Sequence, residues 1–441
     1  MSARVKLESL SRHSASKVII LAESIHNNKS MLQSKLFSKT LRESPKDEVS
    51  QNAILLTRAG YVDKLMAGVY SYLPLGLRVL NNIKQIIRQE MNALGGQEIL
   101  MPALTPKEIW VKTGRWSDIE VLFKLKGAGD KDYALGSTHE EVVTPLVKKF
   151  AASYRDLPVA LYQIQDKFRD EPRAKSGLLR GREFSMKDLY SFHASEEDLE
   201  KFYQQAIQAY FKVFARCGLK TRLVEAGGGV FSKYSHEFQV LTESGEDNLV
   251  VCQHCDFAQN SEICSLKSGQ PCPNCGQTVE LAKAIEVGNI FKLKTKFTEA
   301  FDYKFTDEAG QLKPVLMGCY GLGPSRIMGA VAEVSQDAQG LIWPRSLTPF
   351  HAHLLLLDSS KKKLADQLFK DLNQDGYDVL YDERDESAGV KLKDADLLGI
   401  SLQLIVGAKA GDQVEYRFRD NSAKGKVDFK QVVKLLEKTY V

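Results

Sequence analysis

The chain has 441 residues, 43% of them apolar and 26% charged, with a formal net charge of +4. That length supplies two or three domains with substantial cores, and the composition is that of an ordinary globular protein. No run of about eighteen apolar residues is present to span a membrane, and so small a charge on so long a chain does not announce a nucleic-acid partner, which has to come from motifs.

Residues 1–30 are rich in serine and carry Arg4, Lys6, Arg12, Lys17 and Lys29 around an apolar run, Val18 to Ala22, too short for a secretory core. The segment does not read as a folded domain. A transit peptide has such Ser and Arg content but avoids acids, and Glu8 and Glu23 count against one. A mis-assigned start or an expression leader is the preferred reading. From Gly76 to Leu94, Leu77, Leu80, Ile83, Ile86, Ile87 and Met91 recur at three-and-four spacing, which predicts an amphipathic helix ended by Gly95-Gly96. Glu98 to Pro102 then reads as a strand stopped by proline. Thr138-His139-Glu140 precedes an apolar helix, where Ser137 or Thr138 with Glu140 or Glu141 can cap free backbone donors or form a polar binding loop.

Pro158 to Phe168 reads as a strand and Arg169-Asp170-Glu171 opens a loop. On the return strand, alternation places Arg180, Arg182, Phe184, Met186 and Asp188 on one face. That company suits either a charged, solvated hairpin or a nucleotide site. In the second case arginine forks hold phosphate oxygens, Glu171 accepts from an exocyclic amine, and Phe184 offers its face to a purine. Leu199, Phe202, Ala206, Tyr210 and Phe214 predict a core helix over Glu196 to Cys217. A glycine-rich turn, Ala226 to Gly229, leads into Tyr234-Ser235-His236-Glu237-Phe238, where a lone histidine is ordinarily a core residue.

Seven cysteines fall at 217, 252, 255, 264, 272, 275 and 319. Cys252-x-x-Cys255 and Cys272-x-x-Cys275, with Pro271, Pro273 and Gly276 as knuckle turns, have the spacing that wraps four thiolates around one zinc. Disulfides compete, but nothing marks the chain as secreted. Such a zinc is structural, because four protein thiolates leave no open coordination position; His254 and Cys264 stay outside the set. Val315 to Arg326 reads as a strand, a glycine-rich bend and a helix presenting Arg326, although many such bends are only turns. From Pro349 strands and helices alternate, predicting a separate α/β domain with a mostly parallel, mixed sheet. There Arg384, Lys391 and Lys393 offer charge to RNA or only to solvent.

KFRDEPRAKSGLLRGREFSMKDLYSFH, residues 167–193, resembles the second signature motif of class II aminoacyl-tRNA synthetases, in the wording of the prolyl-tRNA synthetases. MLQSKLFSKTLRESPKDEVSQNAILLTRAGYVDKLMAGVYSYLPLGLRVL, which opens at Met31, is similar to the start of bacterial-type members and implies a true start there. The helix from Gly76 and the strand to Pro102 resemble the first motif, which builds a dimer interface. Val315 to Arg326 resembles the third motif, and DERDESAGVKLKDADLLGI the appended anticodon-binding domain. The implied fold is an α+β class II catalytic domain, an antiparallel sheet flanked by helices, over residues 31–347. A small zinc-ribbon-like insert lies within it at 250–280, and a C-terminal α/β anticodon-binding domain covers 348–441.

The resemblance implies a proline–tRNA ligase. L-proline attacks the α-phosphorus of ATP to give prolyl-adenylate and pyrophosphate, and the terminal ribose of tRNA(Pro) takes the prolyl group. Thr138 and Glu140 would accept the two N–H donors of the proline ammonium, with Arg169 and His236 completing the proline pocket. Arg169, Glu171, Arg180, Phe184, Gly323 and Arg326 would bind ATP, Arg169 and Arg326 as catalytic charges. Mg2+ would accompany ATP, Zn2+ would be structural, and the protein would be a cytoplasmic homodimer, or organellar if residues 1–30 are a transit peptide. Bacterial members usually carry a long domain between the second and third motifs that removes mischarged alanine. Here only the cysteine-bearing segment lies there, so some alanine misactivation is expected. Synthetases for threonine, histidine, serine or glycine are disfavoured by Thr138, Glu140 and the Ser235 to Phe238 wording. A non-catalytic paralogue is disfavoured by the retained Arg169, Glu171, Arg180, Phe184 and Arg326.

Overall fold

The computed structural model describes residues 30–440 apart from 47, 175, 230, 233, 409 and 410. The expected leader therefore lies outside the described residues except for Ser30. Two compact units form: residues 41–336, and residues 30–40 together with 337–440. Among the described residues no helix is long and apolar enough to cross a membrane.

The larger unit is built on a nine-stranded sheet. Along it run Gln97–Glu98, Val159–Phe168, Glu183–His193, Leu316–Leu322 and Val279–Lys294, and then Asp247–Cys252, Ala258–Asn260, Arg222–Gly227 and Tyr234–Leu241. Pairing is antiparallel except between the first two strands and at Glu225↔Gln259. Because Tyr234–Leu241 also pairs with Val279–Lys294, the last five strands close into a ring. Val224, Leu249, Val251, Ala258 and Ala284 fill it. Closure removes the free edge that an open sheet would expose at this end.

The helix Glu196–Arg216 is capped by Ser195, whose side chain accepts from the Asp198 N–H, and acids occupy its first turn, where they suit the helix dipole. It buries Leu199, Tyr203, Ala206, Ile207, Tyr210, Val213 and Phe214. The helix Pro74–Ala93 starts with proline in its first turn and is followed by Gly95 at φ +87°. Its buried stripe runs through Val79, Leu80, Ile83, Ile86, Ile87 and Met91, whereas Leu77 points outward at 47% exposure. The strand expected over Glu98 to Pro102 is shorter than its apolar pattern, pairing at Gln97–Glu98; beyond it Met101 donates its N–H to Gln163 Oε1 at 2.9 Å.

In the smaller unit the sheet order is Met31–Leu32, Val379–Asp382, Ala352–Leu356, Leu402–Val406, Gln413–Phe418 and Lys424–Asp428. The first four strands are parallel and the last two antiparallel. Residues 30–33 thus join this sheet. His353 Nε2 meets Gln33 Oε1 at 2.7 Å, and Ser30 Oγ donates to the Tyr377 carbonyl at 3.2 Å. Lys391 is not an exposed RNA contact: it is buried, and its Nζ donates to the Leu356 carbonyl at 2.6 Å. Arg384 is held by Asp382 and Asp394 at 2.7 and 2.9 Å, while Lys393 is exposed.

Candidate active site

The site lies in the larger unit, on one face of its central strands. The hairpin Val159–Phe168 and Glu183–His193 pairs over its full length, from Val159↔Phe192 to Phe168↔Glu183. Alternation turns Phe184, Met186 and Asp188 to one face and Lys187 to the other, where its Nζ donates to Tyr210 Oη at 2.5 Å and to the Tyr320 carbonyl at 3.1 Å. Burial pushes the Lys187 ammonium down to about 7. Arg180 and Arg182 do not belong to the strand face. The chain enters Glu183 through a short turn, Gly177–Leu179, with Gly177 at φ +63°. Arg180 is 49% exposed and pairs with Glu171 at 3.1 Å and Glu246 at 3.5 Å.

Arg169 follows directly on the strand end. Its guanidinium lies 5.1 Å from the Phe184 ring centroid, and its Nη2 is 3.5 Å from the Ser137 carbonyl. Burial, and then the neighbouring charge of Arg326, pull Arg169 below the usual guanidinium range, against Glu286, Glu171 and Glu140. Arg326 comes from the helix Pro324–Val334, whose N-terminal flank is Gly323, and donates to Glu286 Oε2 at 2.9 Å. Two elements far apart in sequence therefore bring two arginines close enough to repel each other, a repulsion that an anion would relieve.

Thr138 and Glu140 adjoin this spot at the start of the helix Glu140–Lys148. Thr138 donates to Glu140 Oε2, Arg115 Nη1 reaches the same oxygen at 3.2 Å, and the Cys319 thiol donates to Oε1 at 3.2 Å. Burial, then Glu140, keeps that thiol protonated. Arg115 also binds Glu141 at 2.9 Å and is itself buried, with its guanidinium 4.7 Å from the Phe231 ring centroid and 5.2 Å from that of Phe297. Burial raises Glu141 to about 6 in spite of Arg115. Two buried carboxylates thus share one guanidinium, which leaves room for a further positive charge.

His236 is not brought to Thr138 and Glu140. Its Nδ1 lies 2.8 Å from Tyr203 Oη, on the core helix. Its neighbour Glu237, missed from sequence, faces the other way, toward Glu286 and Arg326. Asn289 Nδ2 donates to Glu237 Oε1 at 3.2 Å and Gln239 Nε2 to Oε2 at 2.9 Å. Burial and then Glu286 raise Glu237 to about 8. A carboxyl raised in the folded state contributes stability below its unfolded pKa, about 4.3, which is lost as pH rises through the folded value. Glu237→Gln mimics the protonated form, so its melting temperature should rise above that of the native chain as pH is increased from about 4.5 to 8; a pH series of thermal melts checks this.

Arg115, Gln163 and Lys167 were also missed, and Asp188 was placed on this face without a partner. Lys167 and Asp188 form a buried ion pair at 2.8 Å, and Gln163 Nε2 donates to Asp188 Oδ2 at 3.0 Å. The one sequence signal for Lys167 and Asp188 is charge on a strand otherwise suited to a core.

At the far end of the sheet, Cys252, Cys255, Cys272 and Cys275 bring their Sγ atoms within 4.8 Å of one another. The pairs Cys252/Cys275 and Cys255/Cys272 each stand 3.5 Å apart. Thiolates at about 2.3 Å from one zinc sit roughly 3.8 Å apart, so the set fits. Arg222 braces the knuckle by donating to the carbonyls of Cys252 and Cys255, both at 3.0 Å.

Residues 123–335 match the family described as the tRNA synthetase class II core domain (G, H, P, S and T), and residues 349–439 match the anticodon binding domain. A proline–tRNA ligase of Sulfurihydrogenibium sp. is 35% identical over an alignment covering 93% of this chain and 100% of the relative. That alignment runs over 562 positions although this chain has 441 residues, so the relative carries a long stretch with no counterpart here. The fold resembles that of prolyl-tRNA synthetase from Giardia lamblia, solved with prolyl-adenylate, with a TM-score of 0.72, 20% identity, and coverage of 88% of this chain and 78% of that one. The enzyme from Cryptosporidium parvum, solved with L-proline and AMP, gives a TM-score of 0.71 at 17% identity, covering 88% and 75%. With the class II core, the anticodon-binding domain and this identity along nearly its whole length, the chain belongs to the proline–tRNA ligases.

Proposed function

We propose that the chain activates L-proline with ATP and transfers the prolyl group to tRNA(Pro), with residues 41–336 as the catalytic domain and residues 337–440 binding the anticodon arm. The observation that carries the chemistry is the convergence of Arg169 and Arg326 beside the Thr138–Glu140 loop. The Thr138 hydroxyl oxygen accepts one N–H of the proline ammonium, and the net negative charge of Glu140, Glu141 and Arg115 balances the substrate's positive charge. Arg169 takes the proline carboxylate and the α-phosphate as the oxygen attacks, and Phe184 supports the purine. Arg326 leaves Glu286 to meet the terminal phosphates, and Arg180 and Glu171, now paired, open to phosphate and the adenine amine. Pyrophosphate leaves without a covalent enzyme intermediate. Mg2+ would neutralise phosphate charge, and the crowded carboxyls Glu237 and Glu286 suit it. The exposed Leu77 and Leu100 on the first motif, with Leu104 just beyond it, suit a dimer contact.

Zinc at the four cysteines would be structural, and four thiolates suit a reducing compartment such as the cytoplasm. Purified protein should carry one zinc per chain. Cys272→Ser, at a buried ligand, should lose it and lower the melting temperature; metal analysis and a thermal melt read both.

The function itself is tested by amino-acid-dependent exchange of pyrophosphate into ATP. Proline should drive exchange far above threonine or glycine. Alanine should give less than proline but more than background, since a missing methylene discriminates by only about 10–200-fold. Folded, zinc-loaded protein that exchanges with no amino acid would favour a non-catalytic paralogue.

A further inference from the structure

Between Thr138 and Glu140 stands His139, and its surroundings are unlike those of a solvent-facing loop residue. The imidazole is fully buried. Lys167 Nζ lies 2.8 Å from Nδ1, and Nε2 lies 2.9 Å from the Pro102 carbonyl. Lys167, ion-paired with Asp188, is the donor, so Nδ1 accepts; Nε2 then carries the ring's one hydrogen and donates it to Pro102. Burial and then the charge of Lys167 hold the ring below the usual histidine range, so it is neutral. Its backbone N–H is fixed as well, donating to Tyr190 Oη at 3.0 Å. Gly136 leaves the space the ring needs, since a Cβ there would stand 2.7 Å from His139 Cε1. One chain of polar contacts therefore runs from Pro102 through the imidazole to Lys167 on one strand of the hairpin and Asp188 on the other, passing between the two residues that meet the substrate amine.

We propose that His139 is a positioning residue: through its contacts with Lys167 and Pro102 it fixes the Thr138–Glu140 loop, and so sets proline affinity and the preference for proline over alanine. This rests on the proline-activating reading above. A loop loosened by losing either anchor no longer holds the acceptors where a secondary ammonium presents its two N–H groups. Alanine, with a freely rotating primary ammonium, depends less on their placement.

The two anchors can be removed one at a time. His139→Asn keeps an acceptor near the Nδ1 position and loses the Pro102 contact, whereas His139→Gln keeps a donor near Nε2 and loses the acceptor for Lys167. Gly136→Ala leaves His139 in place and displaces the ring. Each variant is taken as the full-length, zinc-loaded chain, with a thermal melt to select folded protein, and pyrophosphate exchange is measured with proline and with alanine at varied ATP. The expected result is a KM for proline raised about tenfold, a KM for ATP within about twofold of native, and a proline-to-alanine ratio lowered by a similar factor. A merely structural role would move both KM values together. That outcome, or an unchanged proline KM in folded variants, overturns the proposal. If His139→Asn and His139→Gln fail to fold, Gly136→Ala carries the test. A native chain that shows no proline-dependent exchange overturns the underlying function, which the native control distinguishes from failure of the His139 proposal alone.

Discussion

Replacing Arg169 with alanine should lower proline-dependent pyrophosphate exchange by about 10²–10³-fold, the range seen when one preorganised charge is removed from a reacting centre. The effect should fall on kcat as well as on kcat/KM, because the charge at the α-phosphorus grows during attack. Fold stability should change little, and removal of like-charge repulsion with Arg326 favours the variant. Arg169→Lys should recover only a small part of the rate. A lysine keeps the charge but not the planar fork, which lies against Phe184 and can hold a carboxylate and a phosphate oxygen together. Initial rates at saturating and limiting proline check both statements, and an alanine variant with native exchange would remove Arg169 from the chemistry.

Arg115→Met should have the largest effect on stability. Arg115 is 3% exposed and its guanidinium is shared by Glu140 and Glu141, so its loss leaves two carboxylates buried without a counter-charge. Breaking a buried ion pair at one side costs about 3–5 kcal/mol. The cost depends on pH, and its sign follows from Glu141, already raised to about 6 with Arg115 present. Without the arginine, burial and the neighbouring carboxylate raise Glu141 further. A group raised in the folded state loses stability as pH increases through its folded value. Urea denaturation should therefore show a small gap between variant and native chain near pH 4.5, widening toward pH 8. Glu141→Gln in the variant should recover part of the loss, since only one carboxylate then stays unpaired.

The motifs were legible because their residue types are unusual for the elements that carry them. Arg169 lies against the Phe184 ring within reach of the Arg326 charge, and the four cysteines gather within 4.8 Å of one another. What sequence could not supply was face and depth. His236 and Glu237 are adjacent on a strand, and alternation sends one to the core helix and the other toward Arg326; a bulge two residues on, between Phe238 and Gln239, hides which parity applies. Arg180 and Arg182 were counted as strand residues because a three-residue turn does not break the apparent alternation. Lys391 carries the usual sign of a surface, yet the Leu356 carbonyl at 2.6 Å accounts for its burial. Likewise Gln163, Lys167 and Asp188 satisfy one another only through the hairpin register Gln163↔Asp188.

The pairing of Met31–Leu32 with Leu380–Tyr381 has a consequence for how the chain is made. The Ser30 contact to Tyr377 spans 347 residues. At about 5–20 residues per second of synthesis, the first strand leaves the ribosome roughly 20–70 s before its partner exists. Until then its backbone donors and acceptors can be met only by water or by a helper protein. The smaller unit is therefore finished last, although it contains the first residues described, and a ribosome that stalls before residue 379 releases a chain whose opening strand has no sheet to join.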